Sequence, residues 1–215
     1  EKADSLYLQF TDNEKDAKYR VLAKNNQYYV TYPSEEKPLF KRIDGYSEET
    51  AQLLLQRLEH IARWESTYAL SNPDTAIEDS EIGIEFTEVQ ELNRRGGVVK
   101  EETQDTSGPV TLEYKFDQRA SKWSPPRYRM KVKNNGADTL YFAVLRINYD
   151  FSIENELLPV QRLAPGEEVY AKYKPAKQDK FFDAIPSVVA SAYSSWGITD
   201  ANTLLKVLVS TVEFN

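Results

Sequence analysis

The chain has 215 residues, 40% of them hydrophobic and 28% charged, an ordinary globular make-up with room for one large domain or two small ones. A net charge of −7 argues against nucleic-acid binding as the main role, which needs a basic footprint on phosphate, but leaves a local basic patch open. The absence of Cys excludes disulfides, a thiolate nucleophile and Cys-based metal sites, and a single His excludes a multi-His centre.

No apolar run approaches the roughly 18 residues that span a bilayer, and no signal-peptide pattern opens the chain. A cytoplasmic location is therefore expected, with neither membrane nor nucleic acid as partner. The start at Glu1 rather than Met fits a processed or excised piece. Aromatics at 12%, with 14 Tyr, lean towards a β-rich fold.

In chain order, residues 1–46 read as short strands. Residues 5–10 alternate, 19–23 and 27–32 flank the hairpin pair Asn25-Asn26, and 38–43 make a further strand before Asp44-Gly45. Such strands need a lid. Residues 47–70 supply it, as the one long segment of clean helical period. Ala51, Leu54, Leu55, Leu58, Ile61, Ala62 and Ala69 form an apolar face, Ser47 is the expected N-cap, and Asn72-Pro73 ends the helix.

At about 100° per residue, Leu53, Arg57, His60 and Trp64 form a second stripe roughly opposite Leu58. Leu53 and Trp64 could simply flank a wide core face. The sharper expectation is a helix wedged between two layers, with these four residues as the contact stripe to another layer of this chain or of a larger parent.

After Pro73 the pattern changes. Residues 81–89 alternate as a half-buried strand, 90–108 read as a polar loop or hairpin tip containing Arg94-Arg95-Gly96-Gly97, 110–117 as a strand and 122–126 as a turn. Residues 128–133 and 140–148 flank a hairpin-like turn at 134–138. The near-continuous apolar run 140–147 is expected to be the central strand. Strands at 157–163 and 167–173, a short helix or turn at 186–196 and a closing strand within 203–214 complete the pattern. The expected fold is mainly β (α+β): a β-sheet-plus-helix unit over 1–75, then an immunoglobulin-like β-sandwich over 76–215.

No catalytic constellation emerges. His60 lacks an evident orienting partner or nucleophile among its helix neighbours, so a surface or interface role is favoured. Glu85, Glu88, Glu91, Glu101, Glu102, Glu154 and Glu156 read as solvent-facing acids. No loop has the spacing of a phosphate cradle or a calcium site, so no cofactor and no metal are expected. Trp123, Tyr193 and Trp196 form a candidate sugar or peptide platform, although packing is the commoner use of such rings.

Four segments taken together carry a family resemblance: KPLFKRIDGYSEETAQLLLQRLEHIARWESTYALSNP, YRMKVKNNGADTLYFAVLRINYDFSI, LLPVQRLAPGEEV and WGITDANTLLKVLVSTVEF. In this order they resemble the non-catalytic region that follows the peptidase domain in bacterial caspase-like proteins, the orthocaspase relatives of metacaspases. The resemblance implies an upstream His/Cys dyad domain that cleaves after basic residues. That dyad cannot lie here, so no catalytic residue is carried over. What is implied is a non-enzymatic accessory module that packs on or regulates a caspase-like peptidase domain, of the same parent or another protein, or recruits a partner. A stand-alone carbohydrate- or peptide-binding sandwich is the alternative.

Overall fold

Asn25 and Asn26 both adopt positive φ, +54° and +58°, as a two-residue I′ turn requires. This turn joins β1 (Arg20–Lys24) to β2 (Gln27–Thr31) in antiparallel register. The computed structural model describes residues 7–118, 121–174, 180–189 and 200–214. It is mainly β, with several antiparallel sheets and one long helix. The chain divides into two units, one of residues up to Ser71 with Asp150–Ser152, the other of Asn72–Tyr149 with residues from Ile153 onward.

In the first unit β3 (Ile43–Asp44) pairs with β2, giving a three-stranded sheet in the order β1-β2-β3. Helix α1 runs over Glu48–Ala69. Ser47 Oγ accepts from Thr50 N (3.3 Å) and Thr50 Oγ1 accepts from Ser47 N (2.9 Å), a reciprocal capping box, while Glu48 and Glu49 sit at the positive end of the helix dipole. Leu54 and Leu58 form a core with Val30 and Ile43, closed by Leu8, Tyr19, Tyr28, Leu39 and Phe40. Each fully buried leucine contributes about 2 kcal/mol through apolar burial. At the helix end, Glu65 accepts a hydrogen bond from the Tyr19 hydroxyl and pairs with Lys18 Nζ at 2.7 Å.

Two expected strands shrink. Residues 7–10 carry no strand, and 5–6 lie outside the described residues. Leu8 reaches the core without pairing. The expected strand 38–43 survives only at its end. Pro38 has no N–H to give, and ahead of Ile43 the stretch reaches β2 through a bond from Leu39 N to Val30 O (2.8 Å) while Leu39 and Phe40 turn into the core.

The second unit contains β4 (Ile82–Leu92), β5 (Val98–Thr103), β6 (Lys115–Asp117), β7 (Lys122–Ser124), β8 (Arg127–Asn134), β9 (Leu140–Asn148), β10 (Ile153–Leu163), β11 (Glu168–Tyr170), β12 (Ile185–Pro186) and β13 (Thr203–Ser210). One sheet has the order β11-β8-β4-β5, with β12 also on β8; a second has the order β10-β9-β13; β6 and β7 form a ribbon. Strand β9 is central, as its apolar run leads one to expect. Strand β8 alternates strictly. Tyr128, Met130, Val132 and Asn134 are buried, while Arg127, Arg129, Lys131 and Lys133 take the other face. One hydrophobic core draws on both sheets, with Tyr128, Met130 and Val132 from one and Phe142, Val144, Leu158 and Leu163 from the other.

The turn at 134–138 is not a hairpin, because β8 and β9 lie in different sheets. Asn134 accounts for the difference. It is fully buried, and its Nδ2 donates to Asp138 O (2.7 Å) and Leu163 O (2.9 Å) while Oδ1 accepts from Gly136 N (2.9 Å). The side chain therefore holds the crossing where a hairpin ladder would otherwise have satisfied these groups. The expected strand at 110–117 is paired only over β6, and the expected turn at 122–126 begins as β7. Of the expected helix or turn at 186–196, residues 187–189 are neither helix nor strand and 190–196 lie outside the described residues.

Candidate functional site

The second stripe of α1 is distributed over different surroundings within the first unit. Arg57 Nη1 donates to Lys41 O (2.6 Å), and its guanidinium lies 4.9 Å from the Phe40 ring centroid. His60 Nε2 lies 2.8 Å from Phe151 O. A carbonyl only accepts, so this nitrogen carries the proton. One turn on, Trp64 meets the Phe151 ring edge-to-face at 5.3 Å and stacks on Tyr68 at the same distance. Leu53 is 39% exposed.

Phe151 is held in an uncommon conformation, with φ +65°. A bulky residue there costs about 1–2 kcal/mol. Asp150 Oδ1 accepts from Ser152 N (3.0 Å) and Ser152 Oγ (2.6 Å), which fixes the turn, and Phe151 is buried. The contacts of His60 and Trp64 offset the backbone cost. His60 therefore has a structural partner, and among the described residues Phe151 O is its one hydrogen-bond partner.

Several acids of the sheets are paired with cations. Arg129 Nη1 bonds both Glu101 oxygens (3.0 and 2.9 Å) and Nη2 meets Asp183 (2.9 Å), with Tyr170 stacked at 4.2 Å. Lys131 pairs with Glu85 (3.0 Å) and Glu168 (3.5 Å), and the hydrogen bond to Glu85 leads the factors that raise its pKa. Lys115 pairs with Glu88 (3.1 Å). Glu154 accepts from Arg146 Nε (3.1 Å) and Asn148 Nδ2 (3.0 Å). Glu102 accepts from Gln90, and Glu91 stands opposite Lys100 across β4 and β5. These carboxylates anchor strands, and among the described residues no group of three could hold a metal ion.

No family model, curated protein or solved structure matches this chain.

Trp123 is 64% exposed on β7, and Phe116, its partner across β6, is 50% exposed. Their rings meet at 64° and 5.3 Å, edge-to-face. That angle rules out one flat two-ring platform, leaving Trp123 a single face for stacking. Tyr193 and Trp196 lie outside the described residues. Sequence reasoning missed Phe151, since nothing in a hairpin tip marks it as the acceptor for a histidine 91 residues away. No helix among the described residues is long and apolar enough to cross a membrane.

Proposed function

We propose that the chain is a non-enzymatic accessory module of a bacterial caspase-like cysteine protease of the orthocaspase and metacaspase-related kind. It packs on or regulates the peptidase domain, or recruits a partner to it. The observation that carries this reading is the state of His60. The chain's single His spends its protonated nitrogen on a backbone carbonyl, and the chain has no Cys, so a His/Cys dyad has to be supplied by another domain. The second unit is, in this reading, an immunoglobulin-like sandwich. A core shared by two sheets and strand connections that pass from one sheet to the other support that description.

Leu53 is the contact residue of the stripe, an exposed leucine midway between polar neighbours. The test is co-purification of this chain with the peptidase domain encoded beside it. Leu53→Asp should leave thermal unfolding unchanged and weaken the complex by about tenfold, the scale of one lost apolar contact. Failure of the wild-type chain to bind that domain overturns the proposal.

Exposure of Trp123 favours a second reading, a stand-alone carbohydrate- or peptide-binding module. Saturable glycan or peptide binding that Trp123→Ala abolishes would establish it. Unchanged binding in that variant would remove it.

A further inference from the structure

Strand β4 is fully paired along one edge and half paired along the other. From Ile82 to Val89 it runs in unbroken antiparallel register with β8, whereas β5 accompanies it only from Thr87 onward. The last bond between β4 and the chain leaving β5 runs from Gln104 N to Phe86 O (2.9 Å), so Phe86 aims its main-chain groups away from β8. Strand alternation aims those of Ile84 and Ile82 the same way. Ile82 N is taken up by Asp79 O. Ile82 O, Ile84 N, Ile84 O and Phe86 N have no hydrogen-bond partner among the described residues. The side chains agree. Ile82 and Phe86 pack against the core, yet Ile84 between them is 46% exposed, opposite a Val132 that is 1% exposed. The chain that leaves β5 therefore does not cover this stretch.

Open edges are commonly guarded by a proline, a bulge or a lysine. Residues 82–86 contain none of these. The margins of the edge are acidic instead. Residues 72–92 hold seven acids and residues 101–114 hold four, with no Lys or Arg in either stretch. Glu78 and Asp79 directly before β4, and Asp105 where the chain leaves β5, are exposed. Glu85 pairs with Lys131 of β8 (3.0 Å), and its side chain remains 43% exposed.

We propose that the open edge of β4 takes up an extended segment of a partner protein as an added antiparallel strand, one that alternates basic and apolar residues. The segment continues the line of β5. Its ladder bonds satisfy Ile84 N and Ile84 O, and its flanking residues reach Ile82 O and Phe86 N. An apolar residue opposite Ile84 covers the exposed side chain, and a Lys or Arg opposite Glu85 gains a cross-strand ion pair. Charge decides between occupants. A second copy of the chain would bring the same acidic margins together, whereas a basic segment is drawn to them.

The edge lies in the second unit and is independent of Leu53 in the first, so either proposal can fail alone. The experiment is fluorescence anisotropy of the full chain with a short labelled peptide of alternating Lys and Val, against a Glu/Val counterpart. Two further Lys/Val peptides carry N-methyl groups, one on its valine amides and the other on its lysine amides. With valine opposite Ile84, only the valine amides face β4. Saturable binding of the Lys/Val peptide is expected, kept by lysine methylation and weakened about tenfold by valine methylation. I84K, which puts a cation at the edge, should weaken binding by about tenfold, and E85Q by about threefold. Circular-dichroism melts of both variants should match the wild type. Absence of saturable binding at millimolar peptide, equal binding of the Glu/Val peptide, or equal binding of the two methylated peptides overturns the proposal. So does unchanged binding in a folded I84K or, where I84K melts early, in E85Q. A wild-type dimer in sedimentation that I84K dissociates would assign the edge to a second copy and overturn it as well.

Discussion

His60 and Trp64, one helical turn apart, grip the same residue, Phe151, the first by its carbonyl and the second by its ring. The acceptor is main chain, so it survives any substitution at 151. The ring contact does not. Phe151→Ala should therefore destabilise the fold by about 3 kcal/mol and His60→Ala by about 1 kcal/mol, read from urea midpoints. A cycle of His60→Ala with Trp64→Ala should be non-additive, because each grip orients the turn for the other. Additive effects would mean that the two contacts are independent.

Asn134 offers a sharper test. Its amide satisfies two carbonyls and one N–H where the chain leaves one sheet for the other. Asn134→Ala should cost about 2–3 kcal/mol, since the partners are left without a bond in the interior. Asn134→Asp should cost more, because its second oxygen would face the carbonyls of Asp138 and Leu163. An Ala variant within about 0.5 kcal/mol of wild type would show that water replaces the amide fully.

Tyr19 makes stability depend on alkaline pH. Burial first, and the hydrogen bond to Glu65 second, raise its pKa far above the ordinary 10.0. The contribution is complete below 10.0, where folded and unfolded chains both keep the proton. Above it the unfolded chain ionises first, so stability falls as pH rises. Tyr19→Phe should cost about 1 kcal/mol at neutral pH and flatten this fall, in urea titrations on either side of that pH. An equally steep fall in the variant would assign the effect to other tyrosines, of which Tyr32 is the nearest candidate.

Gly96 combines a positive φ with a close neighbour. With φ at +80° and Phe182 Cε1 at 3.2 Å from the added carbon, Gly96→Ala should lower stability by about 1–2 kcal/mol. Gly166, also at positive φ but with open space around it, should tolerate Ala at a smaller cost. Thermal melts of the pair separate the contact from the backbone effect.

What could be read in the sequence was local. The helix, its Ser47 cap and the Asn25-Asn26 turn follow from neighbours a few residues apart, and the alternation in β8 from a period of two. The sheet crossing at Asn134 was hidden, because turn residues look alike whether the next strand pairs with the last or joins another sheet. The stripe of Leu53, Arg57, His60 and Trp64 was visible as a pattern. Its contacts, by contrast, depend on segments as remote as Phe151.

Strand β9 has a consequence for how the chain is made. Its two neighbours are β10, which follows directly, and β13, which pairs Thr203 with Asn148 and Ser210 with Tyr141. During synthesis the strand that carries Phe142 and Val144 therefore waits, one edge open, until some sixty more residues have emerged. Over that interval a nascent chain exposes an apolar template to any neighbour with a free strand. Ribosome-bound chains stopped before residue 203 should therefore misassemble more readily than chains extended past Ser210, which can close that edge.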